Sequence, residues 1–271
     1  MKKFITKKYE IRSHKIKDVL GARFAVMADL HGLVFGEDNK DLINAVEQNA
    51  PDAVLVAGDM IFRENPETLE QVGKLLASLA QKYPVIYALG NHEYKIVSCG
   101  KYKEQYEEYE KKLIQAGVLF LHNEKLELDI AGTDFIFYGL ELPMEYYHKP
   151  TSPKLSLKDM EHLVGTPSGE GVHVLLAHNP KYGKTYFSWG ADLIISGHYH
   201  GGVVRFSEHR GLTSPQFLLF PPYCCGDFRR GGQHMIVSAG LGEHTVPVRI
   251  HNPRELVVIT MKPLEKNEHS S

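Results

Sequence analysis

Cysteine is scarce in this chain. Three in 271 residues, with Cys224 and Cys225 adjacent, cannot form a disulfide framework, so a stapled secreted scaffold is excluded and a reducing compartment is expected. No apolar run approaches the roughly 20 residues that a membrane-spanning helix needs. An excess of charge is missing too. A net charge of −2 gives no electrostatic reason to expect nucleic acid or an anionic membrane as partner. The opening MKKFITKKYEIRSHKIK is basic but lacks the apolar stretch of a signal peptide, so a cytoplasmic protein is expected, with peripheral membrane association left open. No repeat, low-complexity segment or linker interrupts the chain, which predicts a single domain over residues 1–271. Nothing in the sequence points to a protein partner.

An apolar fraction of 43% against 24% charged residues is that of an ordinary globular protein. Apolar strands are predicted at 23–31, 51–59 and 84–92. They alternate with helices at 38–50, 65–81 and 102–117, a rhythm of βαβ units with largely parallel strands. The first helix has Asp38 or Asn39 available as N-cap. The second opens with Asn65 as cap and Pro66 at its first position, and Leu69, Val72, Leu75, Leu76 and Leu79 form its apolar face. Gly117 follows the third in the position that ends helices. KLELDI and DFIFYGLEL flank Ala131-Gly132-Thr133 and look like a hairpin, and 142–170 look irregular, polar and aromatic. Apolar strands return at 172–180 and 191–200, followed by short ones in VVRF, FLLF, MIVSAG and ELVVITM. Helices gather early and strands late, so two sheets packed face to face with helices outside are expected.

Five of the apolar strands end on polar clusters: Asp29-x-His31, Gly58-Asp59, Gly90-Asn91-His92, His178, and Gly197-His198-x-His200. Open α/β sheets bind ligands beyond the carboxyl ends of their strands. Any one cluster reads equally as a turn or cap; five in succession do not. The donors are oxygen and nitrogen, suited to manganese, iron, zinc or cobalt, and no cysteine joins them as in structural zinc sites. Asp29, His31, Asp59, Asn91, His178, His198 and His200 are seven side chains, too many for one tetrahedral ion and suited to two ions sharing a carboxylate. Two ions about 3.5–4 Å apart form a clamp for in-line displacement at phosphorus, with a hydroxide generated between them as nucleophile. His92 is left over beside Asn91, read as lying in an exposed turn, and is the candidate general acid for the leaving group. Its alternative is a solvated histidine.

Three rival motifs fail on context. CCGDFRR spaces Cys224 and Arg230 like a cysteine-phosphatase loop, but a strand pattern follows where a helix N-terminus is required. YGKT at 182–185 lacks the upstream glycine of a nucleotide-binding loop, and HEYKI lacks the second histidine of a zinc protease.

Taken in order, Asp-x-His, Gly-Asp, Gly-Asn-His-Glu, His and Gly-His-x-His resemble the calcineurin-like metallophosphoesterase superfamily, over about residues 22–262. The stretches DLHGLVFGEDN, GNHEY, AHNP and GLGEHTVPVRIHNPRELVVITM are most similar to its bacterial YkuE- and YaeI-type branch. The resemblance implies an α/β fold: a four-layer α/β/β/α sandwich of two mixed β-sheets flanked by helices, with a site for two divalent metal ions, manganese foremost. It implies one ion on Asp29, His31 and His200, the other on Asn91, His178 and His198, Asp59 bridging, and His92 as acid. Many members of that branch carry an amino-terminal anchor or export signal, and no such segment is read here.

The implied function is hydrolysis of a phosphodiester or phosphomonoester on a small or lipid-linked substrate. The alternatives are a non-catalytic scaffold of the same fold, as in the retromer subunit, or an enzyme narrowly specific for a lipid-linked pyrophosphate. The absence of a basic surface argues against a nuclease. Residues 142–170, with Tyr146, Tyr147, His148 and Lys149, are read either as a variable substrate wall or as an ordinary loop.

Overall fold

The computed structural model describes residues 2–62, 65, 67–99, 101–148, 151–215, 218–243 and 248–265. Two features expected from sequence, Pro66 at a helix start and Lys149 in the wall segment, lie outside them. Among the described residues, twelve strands make two six-stranded sheets. The first runs in the order β1 (Ile5–Ser13), β12 (Glu255–Pro263), β2 (Ala22–Met27), β3 (Ala53–Ala57), β4 (Val85–Ala88) and β5 (Val118–Phe120). The second runs β10 (Gly226–Arg230), β11 (Gln233–Val237), β9 (Leu193–Ser196), β8 (Val172–Ala177), β7 (Thr133–Leu140) and β6 (Lys125–Ile130). Both are mixed. Strands β2 to β5 pair in parallel while β12 runs antiparallel to β2, and β7, β8, β9 and β11 pair in parallel between two antiparallel edges.

The period-two rule divides the side chains between layers. In β3, Ala53, Leu55 and Ala57 enter the core between the sheets, while Val54 and Val56 face a layer of helices. Likewise Val174 and Leu176 of β8 point into the shared core and Leu175 points away from it. Helices α1 (Lys40–Gln48), α2 (Thr68–Ala80) and α4 (Lys103–Gln115) cover the first sheet through Leu42, Val46, Val72, Leu76, Tyr106 and Leu113. On the second sheet α5 (Leu157–Val164) and α6 (Gly183–Trp189) cover the outer face through Met160, Val164, Tyr186 and Trp189. The result is the expected four-layer α/β/β/α sandwich.

Local details depart from expectation for physical reasons. Asn39 stands at the start of α1 in a left-handed conformation, but its Oδ1 turns back to accept from Phe35 N–H at 3.0 Å. Asn65 Oδ1 accepts from Glu67 N–H at 3.0 Å, and α2 begins three residues after it. Residues 142–170 are not irregular throughout: a short 3-10 turn spans Met144–Tyr147, and α5 is opened by a capping box between Ser156 and Asp159. Among the described residues of VVRF and FLLF there are only isolated bridges, and a strand, β10, follows Cys224 and Cys225. The hairpin holds. Ala131 and Gly132, with φ of 52° and 72°, make its two-residue loop, the type I′ geometry that matches strand twist.

Candidate metal centre

Strands β2, β3, β4, β8 and β9 end on one rim, and the chain beyond each stays paired for a few residues more. Asp29 N–H donates to Gly58 O at 3.0 Å and His31 N–H to Asp59 O at 3.1 Å, fixing the first two loops side by side. Gly197 N–H donates to His178 O at 3.0 Å on the second sheet. Leu241 N–H, beyond β11, crosses to Ala28 O of the first sheet at 3.1 Å. The two sheets are thus tied together at the rim by backbone, and the side chains between them have little freedom.

Five of the seven expected ligands have left-handed backbone: Asp29, His31, Asp59, His198 and His200, with φ between 47° and 68°. Such residues cost of order 1–3 kcal/mol each and gather where a site requires them. The neighbouring glycine is required by space as well. A Cβ on Gly197 would lie 2.5 Å from Asp29 Oδ2.

Two triads result, each with ligand atoms within 4.8 Å of one another: Asp29, His31 and His200, and Asp59, His178 and His198. A third set, His31, Asp59 and His92, links them. Donors in these triads converge on shared points. His31 Nε2 and His200 Nε2 are 3.2 Å apart. His178 Nε2 stands 3.0 Å from Asp59 Oδ2 and 3.8 Å from Asp29 Oδ1, yet it is buried and makes no hydrogen bond. Its other nitrogen, Nδ1, donates to Ala57 O at 2.7 Å, which leaves the Nε2 lone pair for a ligand. Asn91 Oδ1 is also buried without a partner, a cost of about 1–3 kcal/mol unless a cation or donor meets it. Unfinished oxygen and nitrogen donors around two points fit two divalent ions. The pKa shifts point the same way. Burial, against the pull of His178 and reinforced by the charge of Asp59, lifts Asp29 to about 7. Burial holds His31 down at about 3. Burial also opposes the charge on Asp59, but His178 and His92 outweigh it and hold that carboxyl well below its usual range. The rim is short of positive charge.

Asn91 and His92 open a helix, α3 (Asn91–Cys99), and are not in an exposed turn. His92 N–H donates to Asp59 Oδ1 at 2.8 Å, its Nε2 is 4.0 Å from Asp59 Oδ2, and its side chain is 14% exposed beside the Phe62 ring. It therefore lies at the mouth of the site. From the wall segment, Tyr146 and Tyr147 are buried in the outer core and the Tyr147 ring meets His198 edge-on at 5.2 Å, while His148 is exposed.

Residues 22–202, more than half of the chain, match the family model described as calcineurin-like phosphoesterase. The chain belongs to the calcineurin-like phosphoesterase family. It is 27% identical over 261 residues to an uncharacterized metallophosphoesterase of Aquifex aeolicus, covering 94% of this chain and 90% of that one. It is 25% identical over 220 residues to the phosphodiesterase YaeI of Escherichia coli, covering 80% and 73%. Among solved structures, the phosphopantetheinyl hydrolase PptH of Mycobacterium tuberculosis is similar with a TM-score of 0.51, at 14% identity, over 81% of this chain and 89% of that one; this likeness concerns the fold alone. Fold and triads together are those of a metal-dependent hydrolase with a dinuclear site.

Three residues that support the rim had no role assigned from sequence. Glu93 is fully buried and accepts from the N–H groups of Asp59 (2.9 Å), Met60 (2.7 Å), Ile61 (3.3 Å) and Gly90 (3.1 Å), and from Tyr87 Oη (2.9 Å). It fastens the loops after β3 and β4 to each other. Asn252 Nδ2 donates to His200 O at 2.6 Å. Arg249 Nη2 donates to Gly242 O at 2.7 Å and lies 3.5 Å from His200 Nδ1. Their partners come from distant segments; Glu93 lies within the Gly-Asn-His-Glu motif, and Arg249 and Asn252 lie within GLGEHTVPVRIHNPRELVVITM, but neither stretch shows what these side chains hold.

Proposed function

We propose that this protein is a phosphohydrolase of the YkuE/YaeI type that uses two divalent ions, manganese foremost, to cleave a phosphodiester or phosphomonoester. The observation that carries the reading is Asp59, shared between the His31, Asp59 and His92 set and the Asp59, His178 and His198 set, with His178 Nε2 and Asn91 Oδ1 buried beside it and without hydrogen bonds. In this reading Asp29, His31 and His200 would hold one ion and Asn91, His178 and His198 the other, with Asp59 available to both. The ions, when bound, supply a water of lowered pKa and charge to stabilise the developing oxyanion.

The chain's own groups do the rest. Asp59 fixes the backbone of His92 through its Oδ1, which aims the imidazole outward from the bridging carboxylate. His92 donates a proton to the departing oxygen, the role of a general acid at the mouth of a site. The Ala57 carbonyl holds the tautomer of His178. Tyr147, packed on His198, bounds the substrate on the side of the second sheet, which narrows the wall within 142–170 to that ring and its neighbour His148. The whole chain acts as one cytoplasmic domain.

Hydrolysis of a bis-aryl phosphodiester and the matching monoester, with added Mn²⁺ and then with chelator, tests this reading. Turnover should require metal, and Asp59→Asn should lower it about a thousandfold or more, because several kcal/mol of charge stabilisation leave with the ion. Turnover that survives both chelation and Asp59→Asn overturns it. Metal binding with no turnover on either ester supports the scaffold instead.

A further inference from the structure

We infer that the face beside the Gly-His-x-His loop docks on the surface of an anionic lipid bilayer and so presents the metal centre to a lipid-linked phosphoester. This rests on the phosphohydrolase reading above and names its substrate class.

Twelve large apolar side chains are exposed among the described residues, and half of them fall on three short stretches: Phe206, then Leu218, Leu219 and Phe220, then Val248 and Ile250. Scattered exposed apolar residues need no explanation, but a gathered set marks an interaction surface. These segments belong to the rim. Ile250 N–H donates to Val203 O at 2.9 Å, and Val203 is three residues beyond His200. Leu212 N–H donates to Gly202 O at 3.1 Å, Phe220 N–H to Leu212 O at 2.9 Å, and the rings of Phe206 and Phe220 are 6.1 Å apart. Val203 and Phe220 both hold positive φ, 57° and 48°, outliers for a β-branched and a bulky side chain. The surrounding structure therefore maintains Phe220 outward at a conformational cost; its side chain is not an unplaced remainder.

Charge chooses the partner. A cavity of about 440 Å³ lined by Ile5, Lys7, Arg205 and Phe206 joins the start of β1 to this apolar ridge. Lys2 and Lys3 are exposed just before that start, and Arg210 is exposed on the turn after Phe206. The acidic groups of the face are spoken for: Glu208 pairs with Lys7 at 2.7 Å, and Glu255 is buried, accepting from Ala239 N–H at 2.8 Å. The chain's net charge of −2 conceals this local excess of cations. An apolar ridge bordered by lysines suits an interfacial protein held by two weak signals, partial apolar insertion and attraction to anionic head groups. No helix among the described residues is long and apolar enough to cross the membrane.

The test is co-sedimentation of the full chain with vesicles of phosphatidylcholine alone or mixed with phosphatidylglycerol, at low and high salt. Binding should need the anionic lipid and weaken with salt. The variant Phe206→Ser with Phe220→Ser, and separately Lys2→Gln with Lys3→Gln, should each lower binding, the lysine pair by roughly thirtyfold. Mn²⁺-dependent turnover of the soluble diester should stay unchanged in both, which also shows that they fold. The inference fails when wild type ignores anionic vesicles, when neither variant lowers binding, or when light scattering shows that the apolar variant converts a dimer to a monomer. A wild type that binds vesicles but hydrolyses no ester defeats the phosphohydrolase reading and leaves the docking face standing.

Discussion

His122 and His178 each stand between two carboxylates. His122 is on the surface of the first sheet's edge, with Nδ1 2.6 Å from Glu141 Oε1 and Nε2 2.9 Å from Glu110 Oε1. Both ring nitrogens are satisfied, and the hydrogen bonds to Glu110 and Glu141 raise its pKa to about 10. His178 also rises to about 10, where burial works against the charge and Asp59 and Asp29 prevail. Yet its ring is spent differently: one nitrogen is tied to a backbone carbonyl, and the other faces Asp59 without hydrogen-bond geometry. Equal residue types and equal pKa directions make an ion pair in one place and an open donor in the other. What separates them is the second nitrogen, and whether anything in the protein completes it.

The contrast can be broken most severely at His178. His178→Ala should lower affinity for one ion about a hundredfold or more, since even outer partners of metal ligands cost 10–100-fold. Metal content by elemental analysis and turnover of the soluble diester should fall together. A variant that keeps both ions would make His178 another His122.

His92 sharpens the comparison from the mouth of the site. His92→Ala should cost about 10²–10⁴ in kcat on an alkyl phosphoester, whose leaving group needs a proton, and under about tenfold on an activated aryl ester. Equal losses on both would assign His92 to the metals, a role the His31, Asp59 and His92 grouping permits.

The smallest effect is expected at His122. Its folded pKa lies above the unfolded value of about 6.5, so its contribution to stability is complete below pH 6.5 and disappears as pH rises through about 10. A side chain that is 38% exposed is screened by solvent, which limits the effect to about 1 kcal/mol or less. Urea unfolding at pH 6 and pH 10 should show a wild-type loss that His122→Gln lacks, with turnover untouched at neutral pH. An identical pH dependence in the two proteins would remove the ion pair from the stability of the fold.

The rim was legible because each strand states its end. Apolar alternation stops at Asp29, Asp59, Asn91, His178 and His198, and a sheet edge places consecutive parallel strand ends together. Strand β1 was not legible: ITKKYEIRS buries only Ile11 fully, and its partner is some 250 residues away in the chain. Helix α3 was hidden because its first two residues are the motif itself. Glu93 was visible as a letter but not as a clamp, since its donors come from residues 59–61, 87 and 90 and meet only in the folded protein. FLLF has strand composition, but the apolar side chains of Leu218, Leu219 and Phe220 are exposed and the segment makes only an isolated bridge. Composition reports what a residue prefers; it does not report which surface has been left for it.

The strand order of the first sheet has a consequence for how the protein comes off the ribosome. Strand β12, the last made, lies between β1 and β2, and residue by residue it supplies the pairing of the first strand made. Until residues 255–263 emerge, β1 has no partner and β2 presents an open edge, the kind of surface on which nascent chains aggregate. Glu255, whose Oε1 accepts from Ala239 N–H just beyond β11, arrives with that same strand. The sheet is closed and the rim braced by a single late event, so a chain stalled in translation before β12 carries every metal-centre residue and no finished scaffold on which to hold them.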